Sequence, residues 1–143
     1  MKILVVNGPN LNKLDLRDKT QYGSITLNDI EKLLIKNFPD INFHFFQTNI
    51  EGEIVDILQN ADDKFEGILI NPAAYSHTSV AIRDALEICK IPKVEVHLSN
   101  IANRDDFRKI SLTAAKCDGY ISGFKELSYV AGVFVLIKLI LTN

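Results

Sequence analysis

Residues 67–79 read GILINPAAYSHTS, and this stretch is the clearest indication of the fold in the sequence. It begins with an apolar run at 67–70 that is typical of a buried strand, and the turn pair Asn71-Pro72 ends that run at once. Ser79 then provides an N-cap for a stretch whose apolar residues have helical spacing. A buried strand that leads through a polar turn into a helix is the repeating unit of a parallel sheet covered by helices.

The same unit recurs along the chain. Further apolar runs lie at 3–6, 41–46, 93–96 and 119–122, and stretches with helical spacing lie at 27–38, 54–61 and 81–89. Thr26, followed by Asp29, is a suitable start for the first helix. Right-handed crossovers between such strands favour an α/β fold with a doubly wound, five-stranded parallel sheet and helices on both faces. We predict the flavodoxin-like strand order 2-1-3-4-5.

Length and composition are those of one globular domain. The chain has 143 residues, of which 47% are apolar, and a formal net charge of −2. This length supports one hydrophobic core, so we expect residues 1–143 to form a single domain. The small negative charge does not favour nucleic acid as a partner. Cys89 and Cys117 are the only cysteines. They indicate neither a zinc site nor a disulfide framework, and they fit a reducing cytoplasm.

The apolar segments are too short for a secretory or membrane role. The N-terminal apolar stretch becomes polar at Asn7, which leaves it shorter than the core of a secretory signal. The run at 130–141 contains Lys138 and falls short of the ~20 residues that span a bilayer. We therefore expect no membrane partner, and we interpret this run as a buried C-terminal helix.

One connection between a strand and a helix is longer than the others. The predicted strands start at 3, 41, 68, 93 and 119, so the spacings are 38, 27, 25 and 26 residues. The first unit thus carries about a dozen extra residues, which lie in the segment 8–24. This segment has no periodicity, and connections of such length are usually lids, binding loops or disordered. We expect a lid over a site.

Polar residues follow three of the predicted strands. The sequence is NGPN at 7–10, NPAAYSH at 71–77 and HLSN at 97–100. Ligands bind at the carboxyl ends of parallel strands, beside the point where the strand order reverses, and strands 1, 3 and 4 are neighbours in the predicted order. His77 and His97 therefore meet at one rim. Glu95 shares a strand face with His97 and is close enough to orient its imidazole.

Each of these residues also has a plainer interpretation. Gly-Pro at 8–9 and Asn-Pro at 71–72 are ordinary turn sequences. Arg17 and Tyr22 can be solvated loop residues. Arg104 and Arg108 lie close to two aspartates and can form a solvated helix face.

No motif for a bound cofactor is present. NGPN is not a phosphate-binding loop, and no G-x-G-x-x-G follows the first strand. A receiver domain is disfavoured, because its acidic positions after the first and third strands hold Asn and Pro here. His77 and His97 lack a third, suitably spaced ligand. We expect neither a cofactor nor a metal.

Several motifs together match a known family. They are NGPNLN at 7–12, Arg17, Tyr-Gly at 22–23, NPAAYSHTS at 71–79, Arg-Asp at 83–84, EVHLSN at 95–100 and Arg108. In this order, over nearly the whole chain, they resemble type II 3-dehydroquinate dehydratase. The resemblance implies a hydro-lyase of the shikimate or quinate pathway. It would convert 3-dehydroquinate into 3-dehydroshikimate by anti elimination through an enolate, without a metal or Schiff base.

The resemblance also implies catalytic roles. Tyr22 corresponds to the general base of the family, and Arg17 corresponds to the arginine that favours its phenolate form. His97 corresponds to the general acid, with Glu95 supporting the protonated imidazole. Asn10 corresponds to the residue that stabilises the enolate through an ordered water.

The resemblance places substrate contacts on five residues at the same rim, which suit a carboxylate and several hydroxyls. They are Asn71, His77, Arg108 and the backbone N–H groups of Leu98 and Ser99. Asp84 corresponds to a residue that reaches the site of a neighbouring subunit. The resemblance therefore implies a homo-oligomer, which in this family is a dodecamer built as a tetramer of trimers.

The lid departs from the family pattern. This chain reads LDLRDK at 14–19, where the family commonly has Leu-Gly-x-Arg-Glu-Pro. The missing Gly and Pro change the backbone angles open to the lid and hence its closure. The alternative function is a flavodoxin-like module that binds a polyol or nucleotide without turnover. A yellow preparation, or thermal stabilisation by a nucleotide, would favour that alternative. A purely structural oligomer gives no reason for Asn, His and Arg to gather at one rim.

Overall fold

A computed structural model describes residues 1–142. Five strands form one parallel sheet in the order β2-β1-β3-β4-β5. The strands are β1 Lys2–Asn7, β2 Asn42–Gln47, β3 Gly67–Asn71, β4 Lys93–His97 and β5 Gly119–Ser122. The predicted α/β fold, with its flavodoxin-like strand order, is confirmed.

The helices are α1 Lys19–Tyr22, α2 Leu27–Asn37, α3 Glu51–Gln59, α4 Val80–Ile88 and α5 Leu127–Thr142, and short 3-10 helices lie in the connections. Two of the five helices, α2 and α4, begin at the predicted N-caps Thr26 and Ser79. The Thr26 hydroxyl accepts from the Asp29 N–H, and the Asp29 carboxylate accepts from the Thr26 N–H, so both halves of a capping box are present. The Ser79 hydroxyl accepts from the N–H of Ile82 at the start of α4.

Helices cover both faces of the sheet, as predicted. On one face Ile30 of α2 and Val133 of α5 pack in the core, and on the other face Ile54 of α3 and Ile82 of α4 do so. Every residue of β3 is buried. The sheet therefore forms the middle layer of three, and only the ends of its strands are open to ligands.

The C-terminal helix is buried on one side only, which corrects the prediction of a buried helix. Gly132 brings α5 close to the sheet, since a Cβ there would lie 2.6 Å from Leu69 Cδ1. On its other side Phe134 is 56% exposed and Leu141 is 68% exposed. No helix within residues 1–142 is long and apolar enough to cross a membrane.

The segment 8–24 is more ordered than its aperiodic sequence suggests. It contains a 3-10 helix, Leu11–Leu16, and the single turn α1. Leu11, Leu14 and Tyr22 are buried in the core on the side of α2 and α5. Asp18 caps α1 by accepting hydrogen bonds from the N–H and hydroxyl of Thr20. Three apolar anchors on two short turns give no regular spacing, so no helix could be predicted here.

Candidate active site

A cavity lies at the carboxyl ends of β1, β3 and β4, beside the point where the strand order reverses. Its free volume is about 30 Å³. That is room for roughly one or two water molecules. Eight of the eleven predicted site residues line it: Arg17, Tyr22, Asn71, His77, His97, Leu98, Ser99 and Arg108. The structure thus brings eight of the predicted residues together around one cavity, and their roles as site residues remain predictions.

The turn after β3 lines the cavity, and the turn after β1 packs against it. A Cβ on Gly8 would lie 2.4 Å from the carbonyl oxygen of Pro72, so only glycine lets the two turns approach this closely. The Asn71 side-chain oxygen accepts from the N–H of Ala73 at 3.0 Å, and Ala73 takes a left-handed φ of 53°. The two sequences are therefore turns, as the plainer interpretation has it, and they also shape the site.

Tyr22 and Arg17 form one side of the cavity. Arg17 Nη2 donates to the Tyr22 hydroxyl at 2.5 Å, and the guanidinium carbon lies 3.9 Å from the centre of the Tyr22 ring. Only 8% of Tyr22 is exposed. The Tyr22 hydroxyl is therefore held against a cation in a partly buried setting, where a charge-assisted hydrogen bond is stronger than in water. The interpretation of both as solvated loop residues is wrong.

Arg104 is a site residue that sequence reasoning missed. Its Nη1 donates to the Tyr22 hydroxyl at 2.9 Å and to Ser99 Oγ at 3.0 Å. The Tyr22 oxygen is thus bonded to two guanidinium groups, one from the segment 8–24 and one from the connection after β4. Arg104 lies in a run of charges that reads as a solvated helix face, and no signal in that run distinguishes it from its neighbours.

His97 forms the opposite side, and Glu95 contacts it from outside the cavity lining. His97 Nε2 lies 2.6 Å from Glu95 Oε1, and the two residues are 5% and 0% exposed. The predicted contact along the strand face is therefore present. The Glu95 carboxylate also accepts from the Ser111 hydroxyl at 2.7 Å and from the Thr113 hydroxyl at 2.5 Å. These two donors, which sequence reasoning missed, satisfy the buried carboxylate oxygens with hydrogen bonds.

His77 faces His97 across the cavity, with 6.4 Å between the ring centres. Its Nδ1 lies 2.7 Å from the Ile110 carbonyl oxygen, so Nδ1 carries a proton and donates it there. Burial lowers the pKa of His77 against the opposing effect of that hydrogen bond. In the neutral ring Nε2 is therefore an acceptor for a hydroxyl. Within residues 1–142 no three His, Cys, Asp or Glu side chains group so as to hold a metal ion.

Arg108 has a free donor in the cavity wall. Its Nε is buried without a hydrogen-bond partner, and the nearest carboxylate oxygen, Asp105 Oδ2, lies 3.6 Å away. Arg17 and Arg104 line the same cavity. Three guanidinium groups around one small space favour an anionic ligand. The solvated helix face predicted as the alternative for Arg104 and Arg108 is wrong.

Two residues implied by the resemblance lie away from this cavity. The Asn10 side chain is exposed and outside the cavity lining, and its backbone N–H donates to Asn49 Oδ1 at 3.0 Å. Asp84 lies on the exposed side of α4, also outside the lining. Within one chain, neither the Asn10 carboxamide nor the Asp84 carboxylate lies near the proposed reacting groups, so the roles of both residues remain predictions.

The missing Gly and Pro do not strain the lid. No residue between 11 and 22 has a positive φ, so Asp15 adopts an angle that suits any residue. Asp18 caps α1 at the place where the family commonly has Glu before Pro. The departure from the family pattern is therefore accommodated by ordinary backbone geometry and a side-chain cap.

Comparison with known proteins agrees with this geometry. A family model described as dehydroquinase class II matches residues 1–137. The 3-dehydroquinate dehydratase of Fusobacterium nucleatum subsp. nucleatum is 48% identical over 144 residues, covering 96% of this chain and 97% of that protein. The 3-dehydroquinate dehydratase of Thermotoga petrophila is 53% identical over 134 residues, covering 91% of this chain and 90% of that protein.

A solved structure extends the likeness to the whole fold. The crystal structure of a type II dehydroquinase from Butyrivibrio crossotus matches with a TM-score of 0.92 and 42% identity, covering 96% of this chain and 97% of that one. These matches include the sheet, the segment 8–24 and the connection that carries Arg104 and Arg108. Sequence, fold and family model agree over nearly the full length, and the chain belongs to the class II dehydroquinase family.

Proposed function

We propose that this chain dehydrates 3-dehydroquinate to 3-dehydroshikimate in the shikimate or quinate pathway, with Tyr22 as the general base and His97 as the general acid. One observation carries the proposal. A tyrosine hydroxyl held by two guanidinium groups shares a cavity with a buried histidine that is bonded to a buried glutamate. The relatives named 3-dehydroquinate dehydratase point to the same reaction.

Tyr22 begins the elimination. Its phenolate takes a proton from the carbon beside the ketone, and the electron pair of the broken C–H bond moves to give an enolate. Arg17 and Arg104 support this step, because charge-assisted hydrogen bonds from two guanidinium groups stabilise the phenolate before the transfer. We assign enolate stabilisation to Asn10 acting through a water, which requires the exposed Asn10 side chain to turn toward the cavity.

His97 completes the elimination. The enolate reforms the ketone, a carbon–carbon double bond forms, and the bond to the departing hydroxyl breaks. The protonated imidazole gives its proton to that oxygen, which leaves as water. Glu95 supports the imidazolium through the 2.6 Å contact at Nε2. Solvent returns the proton from Tyr22 to His97, so the net reaction is the loss of one water. Every proton has a protein group assigned, and the scheme needs no cofactor.

The remaining lining residues suit an anionic polyol. The unpartnered Nε of Arg108 supports binding of the substrate carboxylate, together with the backbone N–H groups of Leu98 and Ser99. Nε2 of His77 accepts from a hydroxyl, and Asn71 donates to one. A mixed set of donors and one acceptor discriminates against ligands that lack these groups, since unpaired buried groups are costly.

The assembly and location are further parts of the proposal. We assign a cytoplasmic homo-oligomer, a tetramer of trimers, in which Asp84 acts at the site of a neighbouring subunit. Apolar side chains on the outer side of α5, among them Leu127, Phe134 and Val135, share one exposed groove and support association, because such patches mark subunit contacts. Light scattering of the purified protein measures the mass directly, and a monomer would overturn this assignment.

Turnover of 3-dehydroquinate tests the reaction. The conjugated enone of the product absorbs in the ultraviolet, so its formation is followed directly. We expect a steady rise for the parent enzyme, and we expect Arg17→Ala to lose most of it while keeping the fold. No rise at high enzyme concentration overturns the proposal. Thermal stabilisation by a nucleotide, but not by shikimate-type acids, would instead favour the binding module.

A further inference from the structure

A buried chain of hydrogen bonds connects α5 to the cavity. Asn7 and Asn71 are register partners at the ends of β1 and β3, where the strand order reverses. Tyr129 of α5 is 0% exposed, and its hydroxyl lies between the two amides. It accepts from Asn71 Nδ2 at 2.8 Å and donates to Asn7 Oδ1 at 2.7 Å. Of these groups, only Asn71 lines the cavity.

The orientation of the Asn71 amide is fixed from both ends. Its Oδ1 accepts from the Ala73 N–H at 3.0 Å, so a flipped amide would set two donors against each other. One Nδ2 hydrogen is donated to the Tyr129 hydroxyl, and the second Nδ2 hydrogen can be donated to a ligand. Burial raises the pKa of Tyr129, so its hydroxyl stays neutral and both accepts and donates.

We infer that Tyr129 is a positioning residue for the reaction, which acts through Asn71 and holds its amide so that the substrate meets an N–H donor and no acceptor. The inference rests on the proposed function, in which Asn71 contacts the substrate. Without the phenolic oxygen, Nδ2 loses its fixed partner and the amide can turn away from the ligand. A substrate oxygen that accepts a hydrogen bond fits this site, and a group that only donates does not.

The variant Tyr129→Phe removes one oxygen and keeps the ring. We expect the KM for 3-dehydroquinate to rise about tenfold, as for one lost hydrogen bond, with kcat within about threefold of the parent. The decisive measurement is the same change in an Asn71→Ala background. If Tyr129 acts through Asn71, Tyr129→Phe causes no further loss of kcat/KM in the Asn71→Ala variant, because the effects of residues that share one function are not additive. A residue that merely supports the core would lower it in both backgrounds.

Tyr75→Phe is the matched control. The Tyr75 hydroxyl donates to the Asn49 carbonyl at 2.7 Å, outside the cavity lining but on the same connection between β3 and α4. We expect Tyr75→Phe to keep kcat/KM within about twofold of the parent value. That result would show that loss of any tyrosine hydroxyl is not sufficient to weaken turnover. Thermal unfolding of every variant confirms that it is folded.

The outcomes separate this inference from the proposed function. An unchanged KM in folded Tyr129→Phe, or equal losses in the two backgrounds, overturns the inference alone. If Tyr129→Phe does not fold, Asn7→Ser tests the chain from its other end, and an additive loss with Asn71→Ala again overturns it. A parent enzyme without turnover overturns the proposed function and this inference together.

Discussion

The two sides of the cavity are built on different kinds of structure. Tyr22 and Arg17 lie on the segment 8–24, which contains one 3-10 helix and one turn of α-helix. His97 and Glu95 lie on β4, which is paired with a strand on each side. Glu95 is also bonded to two hydroxyls from the connection after β4. The proposed base is therefore on a lid, and the proposed acid is on the sheet.

This difference indicates which side moves. The cavity as it stands leaves about 30 Å³ of free volume for water, which favours an opening movement before a substrate the size of a quinate binds. Moving β4 would break ladder hydrogen bonds on both edges, whereas moving the lid exposes a few apolar side chains. We therefore expect the lid to open for entry and to bring Tyr22 back to an acid that is already in place.

Removing the base should have the largest effect. Tyr22→Phe keeps the ring that packs in the core and deletes the oxygen that two guanidinium groups contact. We expect kcat for 3-dehydroquinate to fall about 10³-fold, the usual worth of a general base, with thermal unfolding close to the parent. A kcat near that of the parent would show that Tyr22 is not the base and that the lid serves only to exclude water.

Arg104 tests how the lid joins the fixed side. It follows β4 in the chain, yet it donates to the Tyr22 hydroxyl on the lid. We expect Arg104→Ala to lower kcat about 10- to 100-fold, which corresponds to the loss of one charge-assisted hydrogen bond. Added guanidinium ion should restore part of the lost activity. Lys109→Ala, at an exposed position nearby, should leave kcat unchanged. Equal effects of the two variants would mean that Arg104 acts only through the surface charge.

Thr113 tests the fixed side alone. Its hydroxyl donates to Glu95 Oε2 at 2.5 Å, and the residue is 0% exposed. Thr113→Val keeps the shape and leaves a buried carboxylate with one donor fewer, so we expect a loss of about 1–3 kcal/mol in the free energy of unfolding. We also expect kcat to fall about tenfold, since the acid is less well held. Thr78→Val, at an exposed position, is the control, and matching denaturation curves would contradict this prediction.

The sequence predicts the sheet and the rim of the site for a simple physical reason. Each strand is a short apolar run whose end is marked by Asn, Gly, Pro or His, and parallel topology then brings those ends together. Right-handed crossovers favour a doubly wound sheet, and the flavodoxin-like order is one of the common strand orders of such sheets. Asn71 and His97 could therefore be placed from local pattern and topology alone.

The contacts that tune the site could not be predicted from the sequence. Arg104 belongs to a charged run, and whether such a side chain points to solvent or inward depends on where the connection folds back. In the sequence, Thr113 and Tyr129 look like ordinary core residues. Their hydroxyls donate to Glu95 and Asn7, which are distant in the chain, and such contacts produce no periodic pattern in the sequence. The pattern of residues therefore predicts the secondary structure, but it does not predict which side chains meet across long distances in the chain.

His77 should give the smallest effect, a change in the pH dependence of stability. Burial lowers its pKa in the fold, so below its ordinary value of 6.5 the unfolded chain binds the proton more readily. Stability is therefore complete above that value and falls as the pH drops through the lowered pKa. His77→Asn, whose Nδ2 takes the place of the imidazole Nδ1 that donates to the Ile110 carbonyl, should flatten this fall, by at most about 1.4 kcal/mol per pH unit for one proton. Denaturation from pH 7.5 to 5 measures the difference, and parallel curves would show that His77 titrates alike in both states.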